Sequence, residues 1–309
     1  MNIKTLITVT LLSLSLSMAV QGDVVSQAYE IALGDFREPA TENGGASFKA
    51  CDDCERKLVR VTAATRYTIN GEPVRFADFR RVIRDARSRS SAALTVLHHI
   101  QSDTIESIST APEGMSLAAT KVIPTGTVMS YSYSSTVIEL LTRVKPRRVI
   151  ISEARPTNEG IRVAKTMVRA GISMTMITEA QMALFVNEAD AVMVGADSVL
   201  PDGDFINKIG TRLLALAARD AEVPFYTATE TLKVTAPSEP MPFAPEEGQA
   251  KEICSENWLE VRNVYYEVTP ARLVTSYITE QGVLDPAEMH TFAAAAEKHW
   301  QRLMNSHEA

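Results

Sequence analysis

The sequence predicts an α/β fold, on three observations. Short apolar runs alternate with helix-patterned stretches for about a hundred residues after Gly126, each run closes on polar residues, and the helices carry their own start and stop signals. The apolar runs cover residues 127–131, 148–152, 172–177, 191–195 and 223–228, with a further strand at 264–268. Between them, residues 158–170 place Ile161, Ala164 and Val168 on one side of a helix and stop at Gly171, a residue free to adopt the left-handed terminating conformation. Thr178 with Gln181 forms a capping box that opens a helix running to Val186. Ile209, Leu213, Leu216 and Ala217 give the next helix its buried face, and Asp285 with Pro286 begins a terminal helix through Leu303. Apolar strands alternating with helices imply parallel strands, right-handed crossovers and a sheet covered on both faces. The expectation is a Rossmann-like domain over residues 121–309, interrupted by a stiff excursion carrying Pro237, Pro240, Pro242 and Pro245.

Residues 1–120 are expected to form a smaller, mainly helical domain. Helical patterns run over 24–33 and 76–100, separated by a loop-rich insertion at 41–75 with turns at Asn43-Gly44-Gly45 and Asn70-Gly71 and room for a hairpin. In the second pattern Phe79, Val82, Ile83 and Ala86 recur at helical spacing, and arginines occupy positions 75, 80, 81, 84, 87 and 89. Such arginines form either a solvated face paired with Asp78 and Asp85, the commoner use, or an anion site.

A chain of 309 residues, 45% hydrophobic and 22% charged, can bury a sizeable core as one large domain or two small ones. Its net charge of -7 argues against a general nucleic-acid binder and leaves small anions as ligands of a local site. Three cysteines are too few for a disulfide framework. Cys51 and Cys54 could be half a zinc site or a redox pair, but no second Cys/His pair follows at metal spacing, so thiols are expected there and at Cys254. His98, His99, His290, His299 and His307 show no ligand spacing either; no metal or cofactor is expected. Trp258 and Trp300 read as packing anchors. Lys4 precedes an uncharged run over residues 5–20 that contains Ser17-Met18-Ala19, the small-x-small form of an export cleavage site, and the run is too short and polar to anchor in a membrane.

In doubly wound sheets ligands bind where strands end and loops and helix starts converge. Four polar loops qualify, at Ser130–Ser134, Glu153–Pro156, Gly195–Asp197 and Thr229–Thr231. Tyr131, Tyr133 and Tyr226 stand near strand ends, as pocket lining or as packing. The third loop leads to Asn207-Lys208-Ile209-Gly210-Thr211, where Asn207 and Lys208 are expected to begin a helix: unpaired N–H groups, the positive dipole end and an ammonium would suit a phosphate. Asp197 could carry a proton there, or simply cap a turn while Asn207 caps the helix.

The run over residues 192–224, with Gly195-Ala196-Asp197-Ser198 and Asn207-Lys208-Ile209-Gly210-Thr211, resembles the signature of one superfamily. Its members are methylthioribose-1-phosphate isomerase, ribose-1,5-bisphosphate isomerase, and the alpha, beta and delta subunits of translation initiation factor 2B. Glu153-Ala154-Arg155-Pro156 with Gly160, Glu230-Thr231-Leu232-Lys233 and Ile278-Thr279-Glu280-Gln281-Gly282 support it. The resemblance implies that Asp197 matches a catalytic aspartate and that Asn207 and Lys208 hold substrate. The isomerases' catalytic cysteine falls on Ser132, and Glu159 stands where they often carry a substrate-binding glutamine. Their N-terminal phosphate loop would fall on Gln21-Gly22-Asp23, and Arg89 in Ser88-Arg89-Ser90-Ser91-Ala92 resembles a phosphate contact. With the cysteine replaced, the resemblance implies an initiation factor 2B alpha/beta/delta-like protein binding a sugar phosphate or nucleotide phosphate; the alternative is an aldose–ketose isomerase using Asp197. A homodimer or higher oligomer is implied, with a protein partner if the chain is a regulatory subunit, and no direct nucleic acid. An alignment reaching Gln21 makes the N-terminus part of a cytoplasmic protein; a cleaved segment 1–19 would make it exported.

Overall fold

The computed structural model describes residues 26–49, 54–69, 72–86, 93–100, 102–110, 113–238 and 247–307. Arg89, Gln21-Gly22-Asp23, Cys51, Asn70-Gly71, residues 1–20 and most of the proline-rich excursion lie outside them.

The carboxyl-terminal half is built on a seven-stranded sheet. In the chain order of all strands its members are β9 (Thr127–Ser130), β10 (Arg148–Ser152), β11 (Ser173–Ile177), β12 (Ala191–Gly195), β15 (Phe225–Ala228), β17 (Ser276–Thr279) and β18 (Gly282–Leu284). They lie in the order β11-β10-β9-β12-β15-β17-β18. All neighbours are parallel except the last pair, β17 with β18. The strands are apolar on both sides because both faces are covered. Met129, Ile150, Val192 and Val194 face one core, which the buried side of α6 (Thr211–Asp220) closes; Val128, Val149, Ile151 and Met193 face another, against α2 (Glu113–Val122), α3 (Ser135–Val144) and α4 (Glu159–Arg169). A small antiparallel sheet, β13 (Ser198–Val199), β14 (Phe205–Lys208) and β16 (Tyr266–Thr269), follows β12. The capping boxes at Thr178/Gln181 and Asp285/Glu288 are both formed; each opens a short 3-10 turn, leading to α5 (Met182–Phe185) and α7 (His290–His307).

Two expected helix faces are rotated. On α4 the buried residues are Gly160, Val163 and Met167, while Ile161 and Val168 are 43% and 61% exposed. On α6 they are Thr211, Leu214, Ala215 and Ala218, while Leu213 and Leu216 are exposed. Each helix carries apolar residues on two sides, so periodicity fits both. Backbone proximity chooses: a Cβ on Gly160 would lie 1.9 Å from the carbonyl oxygen of Ser152, so α4 turns its glycine to the sheet.

The amino-terminal part differs from the helical expectation. It is an eight-stranded sheet of β1 (Ser26–Ala32), β2 (Phe36–Arg37), β3 (Gly44–Lys49), β4 (Arg56–Val61), β5 (Arg66–Ile69), β6 (Glu72–Val74), β7 (Ala93–His99) and β8 (Thr104–Thr110), with one helix among the described residues, α1 (Phe76–Ala86). Ser26–Ala32 and Ala93–His99 are strands where they find each other: β1 pairs antiparallel with β7, and β7 with β8, a long-range pairing that local spacing does not reveal. The insertion at 41–75 supplies four strands, including the β5–β6 hairpin. Tyr29, Ile31, Phe79, Ile83, Leu94, Val96, Ile105 and Ile108 form the core between sheet and helix. The arginines on and just before α1 pair with acids: Arg75 and Arg81 bond Asp78, and Arg80 and Arg84 pair with Glu38. Cys54 is disulfide-bonded rather than a thiol, Cys254 is free, and Trp258 is 77% exposed instead of packed.

The rotated face of α4 makes a direct comparison. Val163→Ala should cost about 1–3 kcal/mol in urea denaturation, and Val168→Ala no more than about 0.5 kcal/mol. The reverse ranking would mean that the helix packs on the side its apolar spacing suggested.

Candidate functional site

The site lies at the carboxyl ends of β9, β10, β12 and β15, under the polar face of the amino-terminal sheet. Strand alternation creates that face: Tyr29 and Ile31 point into the core, so Glu30 points the other way. Glu30 is registered opposite Thr95 on β7, and Thr95 opposite Ser109 on β8. One polar row, Glu30–Thr95–Ser109, thus crosses three strands and meets the α/β body.

The Glu30 carboxylate sits on the first turn of α3. It accepts from the backbone N–H groups of Ser135 (2.7 Å) and Thr136 (3.3 Å), from the hydroxyls of Ser134, Ser135 and Thr136 (3.0–3.2 Å), and from Lys233 Nζ (2.7 Å). Ser134 is the N-cap, and it lies so close to the end of β12 that a Cβ on Gly195 would come within 2.8 Å of it. Burial would raise the pKa of Glu30, but the Lys233 ammonium and these hydrogen bonds outweigh it and hold the group at about 2. Lys233 also donates to the carbonyl of Ala196 at 2.8 Å, the residue before Asp197.

Glu230 makes the reverse contact. From the loop after β15 it accepts from Thr95 (2.5 Å) and from Ser109 on the amino-terminal sheet. Burial raises its pKa to about 7 against those two hydrogen bonds, and the nearby Glu280 adds to the rise. Asp197 follows the same logic. Burial raises it to about 6; Lys233 and Lys208 oppose the shift, and the carboxylates of Glu30 and Glu159 reinforce it.

Of the residues expected to act together, Ser132, Glu159 and Lys208 do meet. The Ser132 hydroxyl donates to Glu159, which also accepts from Lys208 Nζ at 3.2 Å and from the Thr157 hydroxyl at 3.0 Å. Burial works against its charge, yet Lys208 and the Ser132 bond dominate and lower its pKa. Ser132 itself is held at φ 60°, a left-handed conformation in the turn between β9 and α3. The ammonium of Lys208 further lies 4.7 Å from the ring centre of Tyr265.

Asn207 and Lys208 do not begin a helix. Both belong to β14, where they pair with Glu267 and Tyr266, and α6 starts only after Gly210, whose φ of 102° turns the chain. Glu267 fills that helix start, accepting from the N–H groups of Gly210 (2.7 Å) and Arg212 (3.0 Å). Asn207 is buried and donates to the Thr211 hydroxyl. The same device recurs: Glu179 accepts from Ala154 and Arg155 after β10, and Glu280 from Thr231 after β15. Tyr131 donates to the carbonyl of Ile209 at 2.6 Å.

Glu30, Glu230 and Lys233 were not among the residues expected to act. Lys233 and Glu230 stand in a strand-end loop already singled out, whereas the only local sign of Glu30 is one acid in the alternating stretch Tyr29-Glu30-Ile31. Chemically the arrangement offers two ammonium groups, a carboxyl at about 6 that can give or take a proton near neutrality, and the Ser132 hydroxyl.

Known proteins resemble this chain over part of its length. The model of the initiation factor 2 subunit family matches residues 57–286. A Pyrococcus abyssi protein named as translation initiation factor eIF-2B subunit 2-like is 39% identical over 163 residues, covering 52% of this chain and 58% of the relative. A ribose 1,5-bisphosphate isomerase of Archaeoglobus fulgidus is 36% identical over 178 residues, covering 52% of this chain and 54% of the relative. Among solved structures, a translation initiation factor eIF-2B of Pyrococcus horikoshii OT3 superimposes with a TM-score of 0.51 at 35% identity, covering 56% of this chain and 63% of that one. The chain therefore spans a little over half the length of the curated relatives it matches. With the family model covering most of its length, the chain belongs to the initiation factor 2 subunit family.

Proposed function

We propose that this chain is a binding member of its family: an initiation factor 2B alpha/beta/delta-like protein whose strand-end site holds a sugar phosphate or nucleotide phosphate and does not isomerise it. The observation that carries this reading is the Ser132–Glu159–Lys208 cluster. A serine hydroxyl needs a neighbouring base to become a nucleophile, and the carboxylate it faces is held below its usual range by Lys208, which makes it a poor base. Lys208 and Asn207 hold the phosphorylated ligand in this reading, with Lys233 as a further cation. Arg89 is a proposed contact from outside the described residues. Assembly into a homodimer or larger oligomer and docking on a protein partner belong to the same reading.

One observation favours a second reading. Asp197, with its carboxyl at about 6, suits an aldose–ketose isomerisation of a sugar 1-phosphate, in which protons shift between adjacent carbons and oxygens. A cytoplasmic location accompanies either reading, while the disulfide at Cys54 supports export, since such bonds persist chiefly in oxidising compartments. Intact-mass measurement of native protein decides between them by the presence or loss of residues 1–19.

Incubated with ribose 1,5-bisphosphate and methylthioribose 1-phosphate, the protein should release no ketose product; product formation abolished by Asp197→Asn would establish the second reading. In calorimetry Lys208→Ala should weaken binding of a phosphorylated ligand by about 1.5 kcal/mol or more, and unchanged affinity would place the ligand elsewhere. Asp197 also predicts a pH dependence of stability. Its folded pKa of about 6 stands above the ordinary 3.8, so its contribution is fully present below about pH 4 and is lost as pH rises through 6. Asp197→Asn should therefore be more stable than the parent by about 1–3 kcal/mol near pH 8 and no more stable below about pH 4 in urea titrations. A constant difference across that range would assign the effect to packing.

A further inference from the structure

We propose that Glu30 is a built-in occupant of the site's anion position, so that the amino-terminal sheet clasps the site shut and a phosphorylated ligand must displace it. This rests on the phosphate-binding reading for the class of ligand and adds how that site is regulated.

Donor arithmetic is the first argument. Six donors converge on one carboxylate: two backbone N–H groups, three hydroxyls and an ammonium. A carboxylate has about four lone-pair positions, and four of the six donors crowd onto Oε2 alone. The set is larger than a carboxylate can use and fits the three terminal oxygens of a phosphomonoester, placed on a helix start beside a cation. Lys233, the cation in question, is also the group that faces Asp197.

Position in the sheet is the second argument. Among the described residues β1 is the end strand of its sheet, paired with β7 alone in the strand order. Moving Glu30 away disturbs one ladder rather than two. The third is reciprocity: Glu30 reaches from the sheet to the body at Lys233, and Glu230 reaches from the body to Thr95 and Ser109 in the same polar row. Two carboxylates clasp in opposite directions around the site, and of the two it is Glu30 that occupies donors an external anion could take over. Ligand and clasp thus compete for one set of hydrogen bonds, and the ligand's apparent affinity is reduced by the fraction of molecules that are clasped.

The test uses the full chain with inorganic phosphate and ribose 1,5-bisphosphate as probes. Glu30→Gln keeps the side chain's size and removes the charge that competes; its affinity for both probes should rise at least about fivefold, the lower range of a typical coupling between sites. Hydrogen exchange over Ser26–Ala32 should quicken when the parent protein is saturated with probe, and should already be quick in Glu30→Gln without it. If Glu30→Gln fails to fold, Thr95→Val combined with Ser109→Ala, which loosens the return contact and leaves the anion position intact, carries the same expectation. Parent protein that binds the probes while the variant binds equally or more weakly would overturn the clasp and leave the phosphate-binding reading standing. Failure of parent and variant alike to bind either probe would overturn both.

Discussion

The interaction on which this site depends is the seating of Glu30 on the first turn of α3, against Lys233. A helix start leaves N–H groups without intrahelical partners, and inside a protein those donors must be met by something. Here the chain meets them itself. Glu30 covers α3, Glu267 covers α6, Glu179 covers the turn after β10 and Glu280 the turn after β15. Each of these carboxylates comes from a different element than the donors it satisfies. The contacts that silence the strand-end donors are therefore also the contacts that hold the layers in register, and Glu30 does so between the two sheets.

Charge balance around that contact explains the proton states. Among the described residues, Glu30, Asp197, Glu159 and Glu230 share the neighbourhood with two ammonium groups, Lys208 and Lys233. The two acids with a direct ammonium partner, Glu30 and Glu159, are held below their ordinary range. Asp197 and Glu230, left with burial and more distant charges, are pushed up to about 6 and about 7. Like charges that cannot all be compensated divide into ionised and protonated members. An external phosphate would change that division, because it would draw on the same two cations.

Much of the parallel sheet was legible along the chain. Arg148–Ser152 and Ala191–Gly195 coincide with their apolar runs, since a strand buried on both faces needs nothing but apolar residues between polar ends. The capping box at Thr178 was legible for a similar reason, donor and acceptor lying three residues apart, and so was Asp285 as the N-cap before Pro286. The amino-terminal sheet was not. Tyr29, Glu30 and Ile31 satisfy helical and strand patterns alike over so short a stretch, and what makes them a strand is β7, more than sixty residues away. Likewise Asn207 and Lys208 precede a helix, but their pairing with Glu267 and Tyr266 keeps them extended.

By itself, then, the sequence determined the family and the α/β body, and it singled out Ser132, Asp197, Asn207, Lys208 and Glu159 as candidates, because motif spacing, apolar runs and caps are local properties that a chain carries along its length. Only the tertiary structure decided which charges face one another. Lys208 meets Glu159 across 49 positions, and Lys233 meets Glu30 across 203. Coulombic partners are chosen by distance in space, and in a sheet fold that distance is set by strands paired from opposite ends of the chain.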